Sequence, residues 1–138
     1  MNLAVVGTGY VGLVAGTCFA ESGNDVICVD IDKAKISALV KGRVPFYEPG
    51  LEELVRKNLE EQRLSFTTDL EEAVHKSTII FIAVGTPQGE DGKANTEQVL
   101  KTAKSISQAM NGARTIVTKS TVPVGTAGEI RRVMTATT

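Results

Sequence analysis

The run Gly7-Thr8-Gly9-Tyr10-Val11-Gly12 stands directly behind the short apolar segment Leu3 to Val6 and constrains the fold more than any other part of the chain. Three glycines at this spacing between a strand-like run and a helix-like run do three physical jobs. Gly7 permits a tight turn, Gly9 lets a backbone approach a pyrophosphate, and Gly12 lets helix and strand pack closely. The unpaired N–H groups at the start of the following helix then face an anion. A glycine trio also occurs in ordinary turns, so its context decides what it means, and here that context is met.

Short apolar runs alternate with segments of helical period along the rest of the sequence. The expected strands are Leu3 to Val6, Asp25 to Asp30, Leu64 to Thr67, Thr78 to Val84 and Arg114 to Thr118. Between them the expected helices run from about Val11 to Ser22, from Lys33 to Lys41, from Pro49 through Leu59, and from Leu70 to His75 under an Asp69 cap. A longer helix starts at a cap on Asn95 or Thr96 and ends near Asn111-Gly112. This alternation predicts an α/β fold, a Rossmann-type doubly wound parallel sheet in a single domain over residues 1–138. The segment Gly125 to Met134 reads as a helix. A full dinucleotide fold sets a sixth strand after such a helix, so the sheet is expected to be truncated before it.

In an open parallel sheet, ligands lie beyond the carboxyl ends of the strands. Asp30, at the end of the second strand, is placed to accept hydrogen bonds from adenosine ribose hydroxyls. The same carboxylate would face the 2′-phosphate of NADP, and no arginine follows to receive that phosphate, so the expected cofactor is NAD. The competing role for Asp30 is a surface cap on the helix near Asp32. Lys35 reaches either the ribose side or solvent. Thr86 and Thr121 stand just past the fourth and fifth strands and fit either a cofactor contact or a turn or cap, with Pro87 and Pro123 fixing the backbone beside them. The longest loop, Gly85 to Ala94, follows a strand, where loops of this fold carry function.

Composition excludes several classes. Fifteen basic against sixteen acidic residues leave a net charge of −1, which gives no footprint for nucleic acid or an anionic membrane. No basic leader or long apolar segment stands at the start, so the cytosol is the expected location. Cys18 and Cys28 form no CxxC pair and no metal ligands cluster around them; both are expected as buried, reduced thiols. His75, the only histidine, is expected as a solvated helix-end residue without an evident acidic partner.

Further segments sharpen this reading. Gly7–Gly12, Asp30-Ile31-Asp32, Tyr47-Glu48-Pro49-Gly50-Leu51, Gly85-Thr86-Pro87 and Lys119-Ser120-Thr121-Val122-Pro123-Val124-Gly125-Thr126 occur in order. This set resembles the N-terminal, NAD-binding domain of the UDP-glucose/GDP-mannose dehydrogenase family over essentially the whole chain. The tyrosine in the YEPGL segment favours the UDP-glucose branch. Phe46, where the family usually has isoleucine, and Asn95, where it often has aspartate, are small departures. The resemblance implies NAD contacts at Val11, Asp30, Lys35, Thr86 and Thr121, alongside the glycine run with Thr8 and Tyr10. It also implies oxidation of a sugar primary alcohol to a carboxylate by two hydride transfers, with two NAD reduced and a cysteine nucleophile holding the intermediate. The family's catalytic residues and its dimer-forming central helix lie downstream of Thr138, and Cys18 and Cys28 match none of them. The resemblance therefore implies no catalytic residue within this chain, a nucleotide-sugar substrate and a homodimer for the whole enzyme. A sister dehydrogenase acting on GDP-mannose or a UDP-N-acetyl sugar stays open, as does a stand-alone NAD-binding regulatory module.

Overall fold

The computed structural model describes residues 1–44, 48–84, 97–110, 112 and 115–118. Its elements run β1 (Asn2–Val6), α1 (Tyr10–Glu21), β2 (Asp25–Val29), α2 (Lys33–Val40), α3 (Leu51–Glu60), β3 (Leu64–Thr67), α4 (Leu70–Lys76), β4 (Ile79–Ile82), α5 (Glu97–Ala109) and β5 (Thr115–Thr118). The five strands form one parallel sheet in the order β3-β2-β1-β4-β5. This is the doubly wound arrangement, and the chain reverses its direction of winding between β1 and β4. In folds of this kind ligands bind beyond the carboxyl ends of the strands at such a reversal.

Period-two alternation builds the two cores. Leu3 and Val5 of β1, Val26 and Cys28 of β2 and Phe81 of β4 point to one face, where Leu13, Ile36, Leu39, Leu51 and Val55 of α1, α2 and α3 cover them. Ala4, Val6, Val29, Ile80 and Ile82 point to the other face, against Ala73 and Val74 of α4 and Val99, Ala103 and Ile106 of α5. With helices on both faces, the strands read as nearly continuous apolar runs.

Element boundaries follow the sequence reading closely, with two instructive shifts. β4 is shorter than Thr78 to Val84, although Thr78 N–H donates to Asn2 O and Ala83 N–H to Val6 O, which extends the contact with β1 at both ends. The expected helix start at Pro49 is corrected. Pro49 and Gly50 instead form a turn in which Leu51 N–H donates to Glu48 O at 3.1 Å. Gly50 adopts φ +81°, ψ −13°, as the third position of a type II turn requires, and α3 begins only after it. Asp69 does cap α4, accepting from Glu72 N–H at 3.1 Å. The expected loop Gly85 to Ala94, the cap at Asn95 or Thr96, Arg114 and the helix Gly125 to Met134 lie outside the described residues.

Candidate cofactor site

The glycine turn is wedged between strand ends. Gly7 N–H donates to Val29 O at 2.7 Å, tying the end of β1 to the end of β2. Its φ is +109°, and a Cβ there would sit 2.6 Å from Ala83 O and 2.9 Å from Val84 N, so any side chain would push β4 away. Gly12 serves a different purpose from plain helix–strand packing. Its Cβ would fall 1.9 Å from Gly7 O, so its absence lets the turn fold back over the first helical turn. Gly9 has no atom within 4 Å of where a Cβ would stand, and it caps α1 without any side-chain hydrogen bond. The start of α1 therefore presents an open, uncapped helix N-terminus at the sheet's switch point.

Asp30 follows β2 beside this turn. Its Oδ2 accepts from Thr8 N–H at 3.0 Å and from the Thr8 hydroxyl at 2.6 Å, while Oδ1 accepts from Asp32 N–H at 3.0 Å. Lys35 Nζ stands 3.8 Å from Oδ2. Partial burial raises the Asp30 carboxyl, but these donors outweigh it. The Thr8 hydroxyl, the Asp32 and Thr8 amides and the Lys35 charge together hold its pKa below the ordinary aspartate value. The helix-capping role belongs instead to Asp32, whose Oδ1 accepts from Lys35 N–H. Lys35 is half-buried over the ion pair rather than free in solvent.

Thr8, expected among the cofactor contacts, is fully buried, and its amide and hydroxyl both point at Asp30. Tyr10 and Val11 are half-exposed on the first turn of α1, and Ile31 is exposed just past Asp30, so apolar surface lies beside the glycine turn and Asp30. Tyr10 Oη donates to Glu48 Oε2 at 3.0 Å, which joins the glycine turn to the segment before α3. Thr86, Thr121, Tyr47 and the whole KSTVPVGT segment lie outside the described residues.

Two expectations about chemistry change. Cys28 is fully buried, and burial pushes its thiol up to about 12. Cys18, however, is exposed. The residues of α1 that face the sheet are Gly12, Leu13, Gly16, Thr17 and Ala20, and Cys18 falls off that stripe. His75 is exposed as expected, yet it has partners: its Nε2 lies 2.8 Å from Ala109 O and 4.0 Å from Glu71.

Sequence reasoning missed two features. The Thr8–Asp30 bond spans two loops and has no local signature. Gly16 lies one turn beyond the fingerprint, and a Cβ on it would meet Cys28 Sγ at 2.8 Å and Val5 at 3.5 Å. Gly16, rather than Gly12, is the glycine that seats α1 on the strands, and its signal was its position four residues after Gly12.

These residues fit a dinucleotide. Open space at Gly9 and an uncapped helix start suit a pyrophosphate, and an ionised acceptor at a strand end suits a ribose. Comparison with known proteins agrees. Residues 1–138 match the NAD binding domain of the UDP-glucose/GDP-mannose dehydrogenase family. The chain is 57% identical over 125 residues to the UDP-glucose 6-dehydrogenase TuaD of Bacillus subtilis, covering 91% of this chain and 27% of that protein. It is 51% identical over 138 residues to a UDP-glucose 6-dehydrogenase of Rhizobium meliloti, covering 99% of this chain and 32% of that one. A ternary complex of GDP-mannose dehydrogenase from Pseudomonas aeruginosa superposes with a TM-score of 0.96 at 34% identity, covering 99% of this chain and 32% of the other. The chain thus spans about a third or less of the length of these relatives. It belongs to the UDP-glucose/GDP-mannose dehydrogenase family, as that family's NAD-binding domain.

Proposed function

We propose that the chain supplies the cofactor half of an enzyme that oxidises UDP-glucose to UDP-glucuronate with two NAD. The observation that carries this reading is the 57% identity to a UDP-glucose 6-dehydrogenase across 91% of the chain. In this reading Gly9 leaves room for the pyrophosphate, in a turn that Gly7 and Gly12 allow to fold, and the pyrophosphate meets the N–H groups at the start of α1. Asp30 takes the adenosine ribose with Lys35 beside it, and Thr8 acts behind it. Tyr10 and Val11 border the dinucleotide, and Thr86 and Thr121 are its proposed contacts at the nicotinamide end. NAD, when bound, accepts hydride. The chain's own part is to hold the cofactor and keep its ribose end oriented.

The thiolate needed for covalent catalysis belongs to sequence outside this chain. Cys28 stays protonated at neutral pH and lies within the sheet. Cys18 lies eight residues along α1 from Tyr10, about 12 Å from the glycine turn. Cytosolic residence fits two unpaired thiols, and among the described residues no helix is long and apolar enough to cross a membrane.

The test compares this chain with the longer protein that carries it, following NADH by absorbance with UDP-glucose, GDP-mannose and UDP-N-acetyl sugars. The longer protein should form two NADH per UDP-glucose, while this chain binds NAD without turnover. Preference for another nucleotide sugar would replace the substrate, and turnover by this chain alone would relocate the chemistry.

A further inference from the structure

We infer that Thr8 is a positioning residue that sets the discrimination between NAD and NADP by locking the rotamer of Asp30. The inference rests on the reading of Asp30 as the ribose acceptor and adds a buried residue whose amide and hydroxyl both face that carboxylate. A carboxylate offers about four acceptor sites, two on each oxygen. Thr8 fills both sites of Oδ2, one with its amide and one with its hydroxyl, and the Asp32 amide takes one site of Oδ1. A single site on Oδ1 stays open, so Asp30 meets the ribose with one oxygen in one fixed direction.

Such a lock matters more for the wrong cofactor than for the right one. An unrestrained aspartate rotates its carboxylate away from a 2′-phosphate and so escapes much of the repulsion. Asp30 cannot rotate without giving up two hydrogen bonds at once, one of them a 2.6 Å bond from a fully buried hydroxyl. The Thr8 hydroxyl would then be buried without a partner, which adds to the cost. Specificity here comes from holding a like charge in place as well as from an attractive contact. Lys35, at 3.8 Å from Oδ2, neutralises part of that charge from one side but makes no comparably short bond.

The experiment titrates the folded chain with NAD and with NADP by calorimetry, unmutated and as Thr8→Val and Thr8→Ser. Thr8→Val keeps the shape and removes the hydroxyl, and should narrow the ratio of NAD to NADP affinity about tenfold, the scale of one hydrogen bond to a charged group. Thr8→Ser keeps the hydroxyl and should restore the ratio, which a purely structural role for the threonine methyl would not do. An unchanged ratio in a folded Thr8→Val protein overturns the inference and leaves Asp30 as the ribose acceptor. Equal affinities in the unmutated chain overturn the Asp30 assignment, and the inference with it. Should Thr8→Val fail to fold, NMR of the unmutated protein carries the test. The Thr8 hydroxyl proton should exchange slowly and couple across its bond to the Asp30 carboxylate, with NAD bound or absent, and a rapidly exchanging hydroxyl overturns the lock.

Discussion

Two cysteines of the same chain meet opposite environments, and a thiol reagent distinguishes them. Cys18 stands in solvent on α1, whereas Cys28 is enclosed by the sheet and α1 and stays protonated well above neutral pH. In the native protein one thiol per chain should react promptly with Ellman's reagent, and a second only after denaturation; Cys18→Ser should abolish the prompt reaction. Two promptly reacting thiols would contradict the burial of Cys28. Asp30 provides the corresponding test by pH. Its folded pKa is lowered, so its contribution to stability is complete above the ordinary aspartate value of about 3.9 and is lost as pH falls through the folded value. The urea midpoint should therefore drop as pH falls below about 5, and drop less in Asp30→Asn. An equal drop in both proteins would mean that the Thr8 and Asp32 donors contribute nothing net.

At the scale of elements, α1 is held to the sheet by absence of side chains rather than by bulk. Gly16 lets the helix come close enough that Cys28 Sγ would lie 2.8 Å from any added Cβ. Gly16→Ala gains up to about 1 kcal/mol of helix propensity. It should still destabilise the protein by about 1–3 kcal/mol through overpacking against a rigid, buried sulfur. Cys28→Ala in the same protein should recover most of that loss, measured by urea unfolding as a double-mutant cycle. Additive effects would show that the contact is relieved elsewhere. This contact also explains why Cys18 was misjudged. α1 carries Val11, Leu13, Val14, Ala15, Cys18, Phe19 and Ala20 around most of its circumference, so apolar spacing does not single out one buried face. The face is set by where glycines permit approach. The start of α3 was misread for a related reason, since Pro49 suits both a first helical turn and the second position of a type II turn, and Gly50 decided between them.

For the whole molecule, the parallel sheet was legible because each strand is a short apolar run bounded by turn residues, and both faces of the sheet are covered. The glycine turn was legible because backbone geometry itself demands those residues, as the contacts of Gly7 and Gly12 bear out. Less was legible where distant segments meet. The pairs Thr8–Asp30 and Tyr10–Glu48 are 22 and 38 residues apart, and only the assembled fold brings them together. Those contacts matter because they arrange the crevice in which the central claim lies, that Gly7 to Gly12 and Asp30 make this chain a binder of NAD in preference to NADP. Calorimetric titration of the folded, unmutated chain with each dinucleotide tests that claim most directly. NAD should bind at least about tenfold more tightly than NADP, a difference of about 1.4 kcal/mol; equal affinities, or a folded chain that binds no NAD, would contradict it.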